Sequence, residues 1–181
     1  MSIIKRLSKK NQGFTLVELL VVVVILGILA LILLSKAPSM IDKTKEAKTK
    51  DALRDLKVQI KRYSAENGGI YPIALDDVTG RHHPNDPGLV LSAFIPHYMD
   101  KMPKASLRGG ARHTNETLVG TISTGDRLME PTDITDAGGW IYSPDTGEIR
   151  INCTHEDVES THEKDVNKKV YYYNYGYEAI E

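Results

Sequence analysis

Between Phe14 and Leu34 the chain is apolar at almost every position and carries one ionisable side chain, Glu18. A helix of that length rises about 30 Å at ~1.5 Å per residue, the hydrocarbon thickness of a bilayer. This run therefore constrains the fold more than any other feature, because a segment so apolar must be sequestered from water. Overall composition conceals it: 41% hydrophobic and 26% charged residues over 181 positions are ordinary for a folded protein. The length suits one modest domain, or one domain plus an appendage, rather than two independent cores. A carboxylate inside a membrane helix costs about 2.5–3.5 kcal/mol at the centre and less near an end. Glu18 must therefore either reach the interface or meet a partner.

The flanks read as targeting information. Lys5, Arg6, Lys9 and Lys10 precede the run with no acid among them. An ordinary secretory signal has an apolar region of about 7–15 residues and is cut beyond it, after small residues. Here the run is longer, and the small-residue site beyond it, Ser35-Lys36-Ala37, contains a lysine and is followed by Pro38. Retention of the segment is expected. Lys36, Lys43, Lys45, Lys48 and Lys50 also follow the run, against Asp42 and Glu46, so flanking charge alone does not orient it.

The string Gly13-Phe14-Thr15-Leu16-Val17-Glu18-Leu19-Leu20, behind a short basic leader, resembles the N-terminal signature of type IV pilins and of the pseudopilins of type II secretion. The resemblance implies a precursor cut between Gly13 and Phe14 by a prepilin peptidase, N-methylated on Phe14, and polymerised through its N-terminal helix. It implies a leader over residues 1–13, a transmembrane and assembly segment over 14–35, an amphipathic continuation over 36–67 and a globular head over 68–181. The partners implied are copies of the chain, minor pilins or pseudopilins, an inner-membrane assembly platform and, before assembly, membrane lipid. The chain would cross the inner membrane once, N-terminus cytoplasmic and head periplasmic or extracellular. Cleavage would create an ammonium on Phe14 one helical turn from Glu18, so in the family's manner Glu18 would meet the terminal amine of its own or an adjacent subunit. The tip pseudopilin type lacks this glutamate. Two readings stay open within the family, pseudopilus and type IV pilus. Outside it stands an anchored extracytoplasmic binding module that does not polymerise.

Leu53, Leu56, Ile60 and Tyr63 continue at helical spacing while Lys57, Lys61 and Arg62 can face water, which predicts an amphipathic second half packed on a head. Asn67-Gly68-Gly69 should end it. A helix from Phe14 to Asn67 would measure about 80 Å. Pro38, which lacks an amide proton, and Gly27 are the positions expected to bend or loosen it; a simple kink at the membrane edge is the alternative.

Beyond the helix, Tyr71–Val78 reads as a turn and a short helical piece, and the tyrosine-proline entry resembles that of pseudopilins. Residues 108–139 read as a long loop with one weak strand around Thr117 to Ser123. Trp140–Ser143, a Pro144-Asp145-Thr146-Gly147 turn and Glu148–Asn152 predict a hairpin. Together these give an α+β chain, a long N-terminal helix packed on a small antiparallel sheet. If the last stretch is extended, Tyr171, Tyr173, Tyr175 and Tyr177 share one face, as a closing strand or an aromatic contact row.

Other chemistry finds little support. A formal charge of -1, with bases and acids interleaved, gives no basic face for nucleic acid. The single cysteine, Cys153, excludes an internal disulfide and reads as a small strand-end residue. Neither Arg81-His82-His83 nor His155, Glu156, Asp157, Glu159, His162 and Glu163 has metal-ligand spacing, so no metal site and no cofactor is assigned. Calcium on Asp133, Asp136, Asp145 and Glu148 is the one ion considered, but the glycine- and aspartate-rich closing loop of major pseudopilins is not evident. Asn115-Glu116-Thr117 and Asn152-Cys153-Thr154 match the glycosylation triplet, a frequent chance pattern. No nucleophile elbow, phosphate loop, zinc helix or dinucleotide fingerprint occurs, so an enzyme is not expected.

Overall fold

In the computed structural model, which describes residues 14–83, 86–107, 116–158, 160 and 169–175, the apolar run and the stretch after it are helical, α1 (Leu16–Glu66). The chain falls into two units, Met1–Met40 and Ile41–Glu181, so α1 contributes residues 16–40 to the first and 41–66 to the second. Its helical assignment runs through Gly27 and Pro38. Asn67-Gly68-Gly69 ends it, as the sequence predicts. Gly68 and Gly69 adopt φ of 66° and 91°, a region that strains any side chain. The Gly69 amide donates to the Ser64 carbonyl at 2.8 Å, and Asn67 Nδ2 donates to that of Tyr63 at 2.8 Å, occupying acceptors that a last turn leaves open.

In the second unit Leu53, Leu56, Ile60 and Tyr63 are buried, Lys61 and Arg62 are exposed, and Lys57 is half-buried, so the apolar stripe sits where its spacing put it. The stripe shares a core with Trp140, Tyr142, Ile149 and Ile151 from a three-stranded sheet. That sheet comprises β3 (Val119–Thr121), β4 (Trp140–Tyr142) and β5 (Ile149–Ile151), with β4 central. Strands β4 and β5 form the predicted hairpin, Trp140 opposite Ile151. The weak strand is also present as β3, but it pairs with β4 in parallel, Val119 opposite Trp140. The sheet is thus mixed rather than all antiparallel. A parallel pairing needs a crossover connection, and the long loop between β3 and β4 supplies it. Side-chain alternation along β4 sends Trp140 and Tyr142 to the helix face and Ile141 to the other, where Met129 and Ile134 of that loop cover it.

Two further expectations need correction. Tyr71–Val78 contains no helix: Asp77 Oδ1 accepts from its near neighbour Thr79, at both amide (2.9 Å) and hydroxyl (2.7 Å), a local turn that competes with helical bonding. A second antiparallel pair, β1 (Arg81–His83) with β2 (Asp86–Leu91), lies in a stretch to which the sequence reading assigned no element. It is followed by a single turn, α2 (Phe94–His97). The tyrosine-rich end is a 3-10 turn, Tyr172–Asn174, not a strand. Its period of three puts Tyr172 and Tyr175 together in the core, rings edge-on at 5.5 Å, while Tyr171 and Tyr173 stack at 5.6 Å. Tyr177 lies outside the described residues.

Candidate functional site

At the start of α1, Thr15 and Glu18 bind each other reciprocally. Glu18 Oε2 accepts from the Thr15 amide at 2.9 Å and from its hydroxyl at 2.9 Å, and the Glu18 amide donates to Thr15 Oγ1 at 3.2 Å. This is a capping box, N-cap residue with N3 glutamate, and it satisfies first-turn donors that have no partner within the helix. The acid within the apolar run thus has a local function. Thr15-Leu16-Val17-Glu18 carries the S/T-x-x-E pattern, so the box was readable from the sequence. Both residues lie beyond Gly13, and the box would survive removal of residues 1–13. Gly13 itself lies outside the described residues.

Every residue from Phe14 to Leu33 is exposed, Phe14 itself at 84%. Helix residues Leu16–Leu33 have a mean hydropathy of 3.3. A helix apolar on all sides has no polar face to give to water and belongs in lipid or against other apolar helices. Near Gly27 nothing lies within 4 Å of where a Cβ would sit, so that position offers a flat patch for close approach. The side chain of Pro38 lies outside the described residues.

Other sequence candidates are held by separate partners. Asp133 is gripped through both oxygens by Arg127, at 2.6 and 2.8 Å; with the Glu130 amide, that guanidinium holds its carboxyl at about 2. Asp145 Oδ2 accepts from Ser123 Oγ, Thr124 N and Gly125 N at 2.7–2.9 Å, tying the hairpin turn to the loop after β3. Buried Glu148 pairs with Arg150 at 2.6 Å and accepts the Met129 amide. Arg81 pairs with Asp77, and His82 Nδ1 meets the Pro87 carbonyl at 2.8 Å. Glu156 pairs with Lys169 at 2.7 Å, whereas Asp157 accepts the Ser160 amide. Asn152 is buried and bonded to Thr135, so its triplet presents no accessible amide. Asn115, Glu159, His162 and Glu163 lie outside the described residues.

The structure also joins residues that the sequence kept apart. Asp136, Cys153 and His155 bring a carboxylate oxygen, a thiol sulfur and a ring nitrogen within 4.8 Å of one another. Burial, only partly offset by the His155 amide, pushes the Cys153 thiol up to about 12. Distance along the chain concealed this group: Asp136 belongs to the crossover loop and the other two to the exit of β5.

Compared with known proteins, residues 8–34 match the family described as the prokaryotic N-terminal methylation motif. No curated protein and no solved structure matches the chain. The match spans Lys9 and Lys10, Gly13-Phe14, the Thr15–Glu18 cap and the exposed apolar helix. A motif of this type implies processing by a prepilin peptidase, and the helix behind it is long and apolar enough to cross a membrane once. Residues 8–34 thus carry a prepilin-type methylation motif, and behind it lies an α+β fold.

Proposed function

We propose that the chain is a structural subunit of a type II secretion pseudopilus or a type IV pilus, cut between Gly13 and Phe14, N-methylated, and polymerised through residues 14–35. The observation that carries this reading is the methylation motif over residues 8–34, with Glu18 one turn from the scissile junction. Before cleavage Phe14 N is an uncharged amide. Afterwards it is a cation at the start of an apolar helix, where an unneutralised charge is expensive. A neighbouring Glu18 neutralises it and fixes one axial stagger between copies. Capping and pairing are compatible, because a carboxylate accepts on both oxygens and the box engages Oε2.

In this account the precursor waits in the inner membrane with its N-terminus cytoplasmic, in contact with prepilin peptidase, the assembly platform and lipid. In the filament the same helix packs against copies of itself and of minor subunits. Gly27 and Pro38 provide the local give that packing requires. The role is structural, with no chemistry assigned to the second unit. Glu18→Ala tests it: the variant should be cut normally and remain in the membrane while sheared filaments fall to background. Normal filament yield from Glu18→Ala would defeat the reading.

A further inference from the structure

Cys153 Sγ lies 3.3 Å from His155 Nδ1, and the same nitrogen lies 3.4 Å from Asp136 Oδ1. In a nucleophilic relay a histidine meets the thiol with one ring nitrogen and the carboxylate with the other. Here both converge on Nδ1. That atom carries at most one proton, so it can donate to the carboxylate or accept from the thiol but not both. Three donor atoms within 4.8 Å of one another can instead share one metal ion as ligands. Zinc bond lengths of about 2.3 Å to sulfur and about 2.0–2.2 Å to nitrogen or oxygen, at tetrahedral angles, separate ligand atoms by roughly 3.4–3.6 Å. The separations of 3.3 Å and 3.4 Å fall close to that spacing.

We infer that Asp136, Cys153 and His155 form a binding site for a divalent transition metal of zinc type. The backbone holds the ligands in place. Asp136 adopts a φ of 57°, a left-handed conformation that aspartate tolerates better than most side chains, and its Oδ1 accepts the Thr154 amide at 2.9 Å. The Asn152 and Gly138 backbones, bonded at 3.0 Å, tie the same loop to the end of β5. Cys153 is fully buried while Asp136 and His155 are half-buried, which gives a dry sulfur floor with an open side for entry. Thiolate, imidazole and carboxylate together favour zinc or cobalt over calcium or magnesium, which take oxygen ligands. The bound ion would pin the crossover loop to the hairpin, stabilising the second unit independently of polymerisation.

Cobalt titration of the full-length chain in detergent micelles tests this. Cys153 is the sole cysteine, so a near-ultraviolet sulfur-to-cobalt charge-transfer band reports this site and no other. The band should saturate at about one ion per chain, as a single tetrahedral site requires, and zinc should abolish it. Asp136→Asn, which keeps an acceptor for Thr154, and His155→Gln should each weaken cobalt binding by at least about tenfold, the loss seen even for residues one shell further out. Circular dichroism should confirm that both remain folded. Absence of the band in folded wild-type protein with cobalt in excess, or unchanged affinity in both variants, would overturn the assignment.

Discussion

Glu18 combines two roles that a single alanine substitution confounds. It closes the capping box with Thr15, and in the proposed filament it neutralises a neighbour's terminal amine. Glu18→Gln separates them, because an amide oxygen still accepts from Thr15 while the charge is gone. The glutamine variant should keep the first helical turn, seen as unchanged amide exchange near residues 16–18, yet lose filaments as fully as Glu18→Ala. Thr15→Ala should do the reverse, fraying that turn by about 1 kcal/mol while filaments still form. At this scale the sequence was legible where chemistry is local: an acid in an apolar run, a threonine three residues before it. It was opaque where partners are distant, as for Asp136 with Cys153 and His155, or buried Glu46, which takes both the Val158 amide at 2.8 Å and the Tyr172 hydroxyl.

Among the elements, the hairpin was readable because its turn residues are demanded by geometry. Gly147 has a φ of 70°, and a Cβ there would lie 2.3 Å from the Tyr71 ring. Gly147→Ala should therefore destabilise the folded chain by more than about 1 kcal/mol in denaturant melts. Much of that loss should be recovered in a Tyr71→Ala background, a coupling expected of neighbours in contact. The parallel placement of β3 was not readable, since a short strand flanked by polar loop carries no signal for its partner's direction. Nor was the 3-10 turn at Tyr172–Asn174. Alternating tyrosines satisfy a strand pattern equally well, and burial of Tyr172 against Glu46 decided otherwise. Tyr172→Phe should cost about 1–3 kcal/mol, because it leaves a buried carboxylate short of a donor.

For the molecule as a whole, the proposed filament would use the N-terminal motif for anchorage and assembly, while the second unit has a hydrophobic core of its own. Acid should affect the second unit measurably. Thr79 and Arg81 hold Asp77 at about 2, and Arg127 holds Asp133 at about 2, against an ordinary value of 3.8. A carboxyl lowered on folding adds stability that is present above its unfolded value and is lost as pH falls through its folded value. Thermal midpoints should therefore decline between about pH 4 and pH 2, and Asp133→Asn should flatten that decline. The most direct measurement of the central claim is mass spectrometry of the N-terminal peptide from sheared filament material. The chain in that material should begin at Phe14 and carry one methyl group on its amine. A chain still beginning at Met1, or beginning beyond Ala37, would contradict it, because the cation that Glu18 is proposed to meet would not exist at that position.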